Sequence, residues 1–198
     1  MSNKALLLQA IHSDIVNLKK SPLYSFRTKN NYQVVSGEGS PHAKIVFIGE
    51  APGKNEALTG KPFCGASGRV LNELLASIEI DRDKVFITSI VKDRPPDNRD
   101  PSPKEIALYT PFLIRQLEVI KPKVIVTLGR HAMNLIMKNF SSETDLQPIS
   151  EAHGKPVTTK VTWGKVSILP LYHPAVALYN GSTKTILLKD FQKLKKLI

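Results

Sequence analysis

The sequence predicts an α/β protein, a three-layer α/β/α sandwich around a central, mostly parallel, four-stranded sheet. Short β-branched apolar runs recur at residues 45–48, 85–91 and 124–128, each the length of a buried strand rather than of a helix. Stretches with apolar residues at helical spacing alternate with them. The first run ends in a loop dense in Gly and Pro, and loops of this kind, at the carboxyl ends of parallel strands, are where open α/β sheets hold their ligands.

In chain order, residues 4–20 carry Leu6, Leu7, Ala10, Ile11, Ile15 and Leu18 at helical spacing, and Pro22 is expected to end that helix. Residues 23–42 are polar and punctuated by Gly, which predicts irregular chain or a short strand at residues 32–35. The first core strand follows. Its loop runs to a helix opening near Ser67, with Val70, Leu71, Leu74, Leu75 and Ile78 on one face. Beyond the second strand, residues 93–101 are too rich in Pro to be regular. Ser102-Pro103-Lys104-Glu105 has the form of a capping box with Pro at the first helical position. That helix is expected to reach Ile120, with Pro111 kinking or dividing it. A third strand, ended by Gly129, leads to a helix over residues 130–139, then a polar loop over residues 140–154. Residues 157–161 and 166–169 flank Trp163-Gly164 as a hairpin or as two short strands with a turn, and residues 185–197 form the closing helix.

Composition narrows the function classes. The 198 residues suit one domain spanning residues 1–198, and an apolar share of 41% argues against disorder. No apolar run approaches the ~20 residues of a membrane span, and the N-terminus lacks a signal-peptide pattern. The expectation is a cytoplasmic monomer with no membrane contact. Cys64 is the single cysteine, which excludes an internal disulfide and a cysteine-rich metal site. Lys and Arg number 28 against 17 Asp and Glu, a net charge of +11, which favours a polyanionic partner, nucleic acid before anionic membrane. Lys189, Lys193, Lys195 and Lys196 read as a solvated helix face.

The loop GEAPGKN is not a phosphate loop, because three residues separate Gly49 from Gly53 and Asn55 follows Lys54. It offers two acids, Glu50 and Glu56, followed by Phe63 between Pro62 and Cys64. Such a ring either stacks on a flat ligand such as a base or closes the core at a loop end. The acids either serve that ligand or face water. Ser89 stands at the end of the second strand, before a Pro-stiffened loop with Arg94, Pro95, Pro96, Asn98 and Arg99. His173 follows a short apolar run, on the same rim as Glu50 and Ser89. His12, His42, His131 and His153 read as structural.

Taken together, GEAPG-x-x-E with G-x-PF-x-G-x-x-G, then IT-x-x-V-K-x-RPP-x-NR-x-P-x-P-x-E, LGR-x-A and HPA-x-x-L resemble the uracil-DNA glycosylase superfamily, its family 4 in particular. The resemblance runs from about Pro22 to Tyr179. It implies the same sandwich fold and a hydrolase of base excision repair that flips uracil out of DNA and cuts it from its sugar. By resemblance, Gly49, Ala51, Phe63, Ser89 and His173 bind the base. Phe63 stacks on it, and His173 hydrogen-bonds the carbonyl that gains negative charge as it leaves. Glu50, or else Glu56, steadies the cationic sugar and orients water. Leu178, with Tyr179 beside it, wedges into the gap. Gly65, Ser67, Arg94, Pro95 and Pro96 touch the DNA backbone, making binding salt-dependent.

The sequence departs from that pattern twice. Family 4 enzymes typically hold a 4Fe–4S cluster through four cysteines, and the corresponding positions here are Leu18, Ser21, Asp93 and Tyr109. With Cys64 alone in the chain, the expectation is a protein with no cofactor and no metal, its N-terminal helix held by ordinary packing. The second departure is Ser89, where the family has an Asn that reads the uracil edge. A rotatable hydroxyl is shorter than an amide with a fixed donor and acceptor, so the expected partner is DNA carrying deaminated bases, with hypoxanthine and xanthine admitted beside uracil. The alternative is a non-catalytic or covalently trapping binder of uracil-containing DNA. Crosslinking relatives carry a basic insertion with an extra His after the second motif, whereas this chain has RPPDNRDPSP.

Overall fold

The computed structural model describes residues 2–141 and 147–198. Its sheet contains the four expected parallel strands, β2 (Ile45–Gly49), β3 (Phe86–Ser89), β4 (Val124–Leu128) and β6 (Gly164–Leu171). Two antiparallel edge strands, β1 (Glu38–Gly39) and β5 (Val157–Val161), extend it to six in the order β1-β3-β2-β4-β6-β5. The parallel register pairs Gly49 with Ser89 and Leu128 with Leu171. The carboxyl ends of all four parallel strands therefore share one rim.

Alternation along the strands sorts side chains to the two faces. Val46, Ile48, Ile125 and Ile168 pack under α1 (Asn3–Val16), α2 (Pro22–Lys29), α5 (Pro103–Ile120) and α6 (Arg130–Phe140). Ile45, Phe47, Val126 and Leu169 pack under α4 (Ala66–Ala76) and α8 (Gly181–Lys195). The result is the three-layer sandwich, with helices on both faces of a sheet whose central strands are buried throughout.

Several elements differ from expectation for local reasons. Pro22 does not merely end a helix; it opens α2, with Ser21 capping through Leu23 N–H, because Pro is at home in the first helical turn. A short helix, α3 (Lys54–Thr59), interrupts the Gly-rich loop. Pro111 does not divide α5, which runs unbroken over 18 residues. The carbonyl it leaves unpaired, that of Ala107, lies on an exposed turn where water can serve it. The capping box at Ser102 and Glu105 is formed in both directions. Within the loop expected over residues 140–154, α7 (Ile149–Ala152) is helical, and residues 142–146 lie outside the described residues.

One corner corrects the expectation of ordinary packing. Of the four positions that the resemblance assigns to cluster ligands, Leu18 packs into the core beside Tyr109 and the other three form a buried polar chain. The Tyr109 hydroxyl donates to Asp93 Oδ2 at 2.6 Å and lies 2.9 Å from Ser21 Oγ. Arg27 Nη1 stands 3.6 Å from Asp93 Oδ1, while its Nη2 donates to the Val16 carbonyl at 2.6 Å. Burial pushes the Asp93 carboxyl up, against the Tyr109 hydrogen bond and the Arg27 charge. No thiolate is present, so these residues do not fit an iron–sulfur cluster. Two oxygens, a carboxylate and a guanidinium link α2 and α5 to the loop after β3 instead.

Candidate active site

At the shared rim lies a cavity of about 360 Å³ lined by residues that include Glu50, Ala51, Glu56, Ser67, Pro95 and His173, at the small end of the range for ligand pockets. Glu50 and Ala51 follow directly from β2. Glu56 is in the first turn of α3, and His173 caps the turn Pro174–Leu178 beyond β6. A larger groove of about 530 Å³ between α5 and α6 is mainly apolar. Its wall carries the His131 imidazole but no acid, whereas two acids and an imidazole converge at the rim, so the smaller cavity is the candidate site.

His173 is held in one tautomer. Its Nδ1 accepts the Ala175 backbone N–H at 3.1 Å, and an amide can only donate, so in the neutral ring the proton is on Nε2. Burial pushes its pKa down to about 4, against the pull of Glu56. Near neutrality the group is an uncharged imidazole with an N–H donor that has no hydrogen-bond partner among the described residues.

The two acids differ. Glu56 Oε1 accepts the Gly65 N–H at 3.1 Å, tying α3 to the start of α4. Glu50 makes no hydrogen bond among the described residues; the basic side chain beside it is His131, with Nε2 3.9 Å from Oε2. Burial pushes the Glu50 carboxyl up; His131 and Arg130 pull it down and Asp100 pushes it up.

Phe63, Gly49 and Ser89 are buried and do not line the cavity. The Phe63 ring stacks on His173 with centroids 5.6 Å apart and also packs in the core, as the core reading of this residue expects. Its backbone sits at φ +48°, a costly conformation for a side-chain-bearing residue. Two glycines allow it. A Cβ on Gly49 would lie 2.8 Å from the Phe63 ring, and one on Gly68 would lie 1.8 Å from the Phe63 carbonyl oxygen.

The remaining expected residues divide. Ser67 and Pro95 line the cavity, and Gly65 is buried beneath it. Arg94 is engaged elsewhere, donating to the Tyr32 hydroxyl and to Asn98 Oδ1, each at 2.8 Å; Pro96 is partly buried beside it. Leu178 and Tyr179 stand out from the surface at 44% and 90% exposure, free to meet a macromolecule. Asn98 and Arg99 also line the cavity, although Arg99 is bound bidentately to Glu105.

Lys92 carries a role that sequence reading missed. It is fully buried, and its ammonium donates to Thr88 Oγ1, the Ser89 carbonyl and Gln116 Oε1 at 2.5, 2.7 and 2.8 Å. It thereby fixes the strand end that presents Ser89, and desolvation lowers its pKa well below the usual lysine range. The signal was a lysine continuing the apolar run Ile90-Val91.

Comparison with known proteins accounts for this layout. Residues 36–195 match the family described as the uracil DNA glycosylase superfamily. The chain is 44% identical to a type-4 uracil-DNA glycosylase of Sulfurisphaera tokodaii over 195 residues, 96% of this chain and 84% of the relative. Against that of Saccharolobus solfataricus the identity is 43%, over 96% and 85%. Against that of Archaeoglobus fulgidus it is 44%, over 96% and 92%.

Proposed function

Because the chain belongs to the uracil-DNA glycosylase superfamily, we propose that it is a hydrolase that flips uracil out of DNA and breaks the N-glycosidic bond. The observation that carries this reading is the neutral His173, its Nδ1 locked by a backbone amide and its Nε2–H left to donate at the cavity. As the bond between base and C1′ breaks, its electron pair leaves with the base and negative charge gathers on a base carbonyl. A neutral N–H donor stabilises that charge in the transition state more than in the ground state. The sugar left behind is cationic, and Glu50 and Glu56 supply nearby negative charge.

Water then bonds to C1′ and passes a proton to a carboxylate. Glu50 suits that role better than Glu56, whose Oε1 already accepts the Gly65 amide. A carboxyl raised by burial is also a stronger base for the proton. Phe63 shapes the base site from behind, Leu178 and Tyr179 fill the gap in the stack, and Ser67 and Pro95 meet the DNA backbone. Ser89 in the base site favours a broadened preference that includes hypoxanthine or xanthine. The protein acts as one domain and one copy, without an iron–sulfur cluster.

Labelled oligonucleotides carrying uracil, hypoxanthine or xanthine, incubated with the protein and treated with alkali, test this. Strand cleavage at uracil is expected. A retarded complex with no cleavage at any of the three bases would replace the enzyme with a binder. A complex surviving denaturation would point to covalent trapping.

A further inference from the structure

Glu50 stands between the cavity and a cluster on the far side that the proposed chemistry does not use. His131, in the first turn of α6, has Nε2 3.9 Å from Glu50 Oε2 and 3.0 Å from Asp100 Oδ2. Arg130 Nη2 donates to the same Asp100 oxygen at 3.0 Å, and its Nε lies 3.2 Å from His131 Nε2. His131 is only 24% exposed, against 61% for Asp100. One ring nitrogen, Nε2, therefore stands near an outer carboxylate at 3.0 Å and an inner one at 3.9 Å.

From this geometry we infer that His131, in the protonated form that donates Nε2–H to Asp100, which Arg130 Nη2 holds in turn, is a positioning residue that keeps the Glu50 carboxylate ionised and directed at the cavity. The inference rests on the glycosylase reading of the site. Among the described residues Glu50 has no hydrogen bond to fix it, and partial burial disfavours its charge. Without a cation behind it, the carboxylate would take up a proton at higher pH and could no longer accept one from water. Arg130 shares the work of lowering its pKa, and Asp100 opposes it directly. On the cavity side the other ionisable neighbours are Glu56, Arg99 and His173. Asp100 thus has two opposed effects on Glu50: repulsion through space, and support through the histidine it holds.

The sign follows. A group that lowers the pKa of Glu50 extends activity to lower pH, so removing it moves the acid limb of the pH profile upward. Single-turnover excision of uracil would be followed across pH for the parent, Glu50→Gln, His131→Gln and His131→Lys, with thermal unfolding of each. Glu50→Gln should abolish the acid limb, which assigns the limb to that carboxylate. His131→Gln should move the limb up by about one pH unit with KM little changed, and His131→Lys, which restores a cation, should bring it back. A merely structural histidine would give two variants equally destabilised with the parental limb, and that result overturns the inference. So would an acid limb that persists in Glu50→Gln. If the parent itself excises no uracil at any pH, it is the glycosylase reading that fails. If His131→Gln does not fold, His131→Asn takes its place as the uncharged variant: a limb moved upward supports the inference and one at the parental pH contradicts it.

Discussion

Two polar regions of this protein are built from similar residues and do opposite things. In the corner of Ser21, Arg27, Asp93 and Tyr109, acid, base and hydroxyls are directed at one another and buried. At the rim, Glu50 and the Nε2 of His173 have no hydrogen-bond partner among the described residues, and they face a cavity. The corner comes close to satisfying itself: among its fully buried side-chain atoms only Asp93 Oδ1 lacks a hydrogen bond within the described residues, and Arg27 stands 3.6 Å from it. A closed network fixes structure, whereas an open one keeps donors and acceptors for a ligand.

That contrast can be broken by substitution. The largest effect is expected at the rim: His173→Ala should lower single-turnover excision by about 10²–10³, with the melting temperature close to parental. A comparable loss of stability there would make His173 part of the scaffold and erase the distinction. In the corner, Asp93→Ala leaves Arg27 buried beside no carboxylate and should cost about 3 kcal/mol of stability or more in denaturant unfolding. Excision by the folded fraction should stay near parental. The smallest effect sharpens the comparison inside the base site. Ser89→Asn adds a fixed donor and acceptor and should raise uracil excision about fivefold, the worth of roughly one hydrogen bond. A fall on that substitution would remove the account of Ser89 given above.

The legible parts of the fold were those written in local pattern. The β2 and β4 strands are short β-branched runs, the capping box at Ser102 is a four-residue signal, and the β5–β6 hairpin announces itself at Trp163-Gly164. What escaped reading was decided by partners distant in sequence. Pro22 is compatible with both a helix stop and a helix start, and Ser21 settles it through an amide two residues on and a tyrosine 88 positions away. β1 is two residues long and exists because Phe86 and Ile87 offer it an edge.

The same holds at the candidate site. Glu50, Ser89 and His173 could be set on one rim because each follows a predicted parallel strand. His131 could not, since its partner Asp100 lies 31 residues earlier, on a loop with no periodicity to read. Nor could the engagement of Arg94 by Tyr32, 62 residues away, which gives an internal partner to a residue expected at the DNA backbone. Periodicity places backbone; it does not say which long side chains find each other.

The corner built from Ser21, Arg27, Asp93 and Tyr109 also bears on how the protein comes into being. Every group in it leaves the ribosome as part of the chain, so maturation asks for no iron or sulfide donor and no assembly machinery. Oxygen, peroxide and chelators have nothing there to strip. Protein made in air should be as complete as protein made without it.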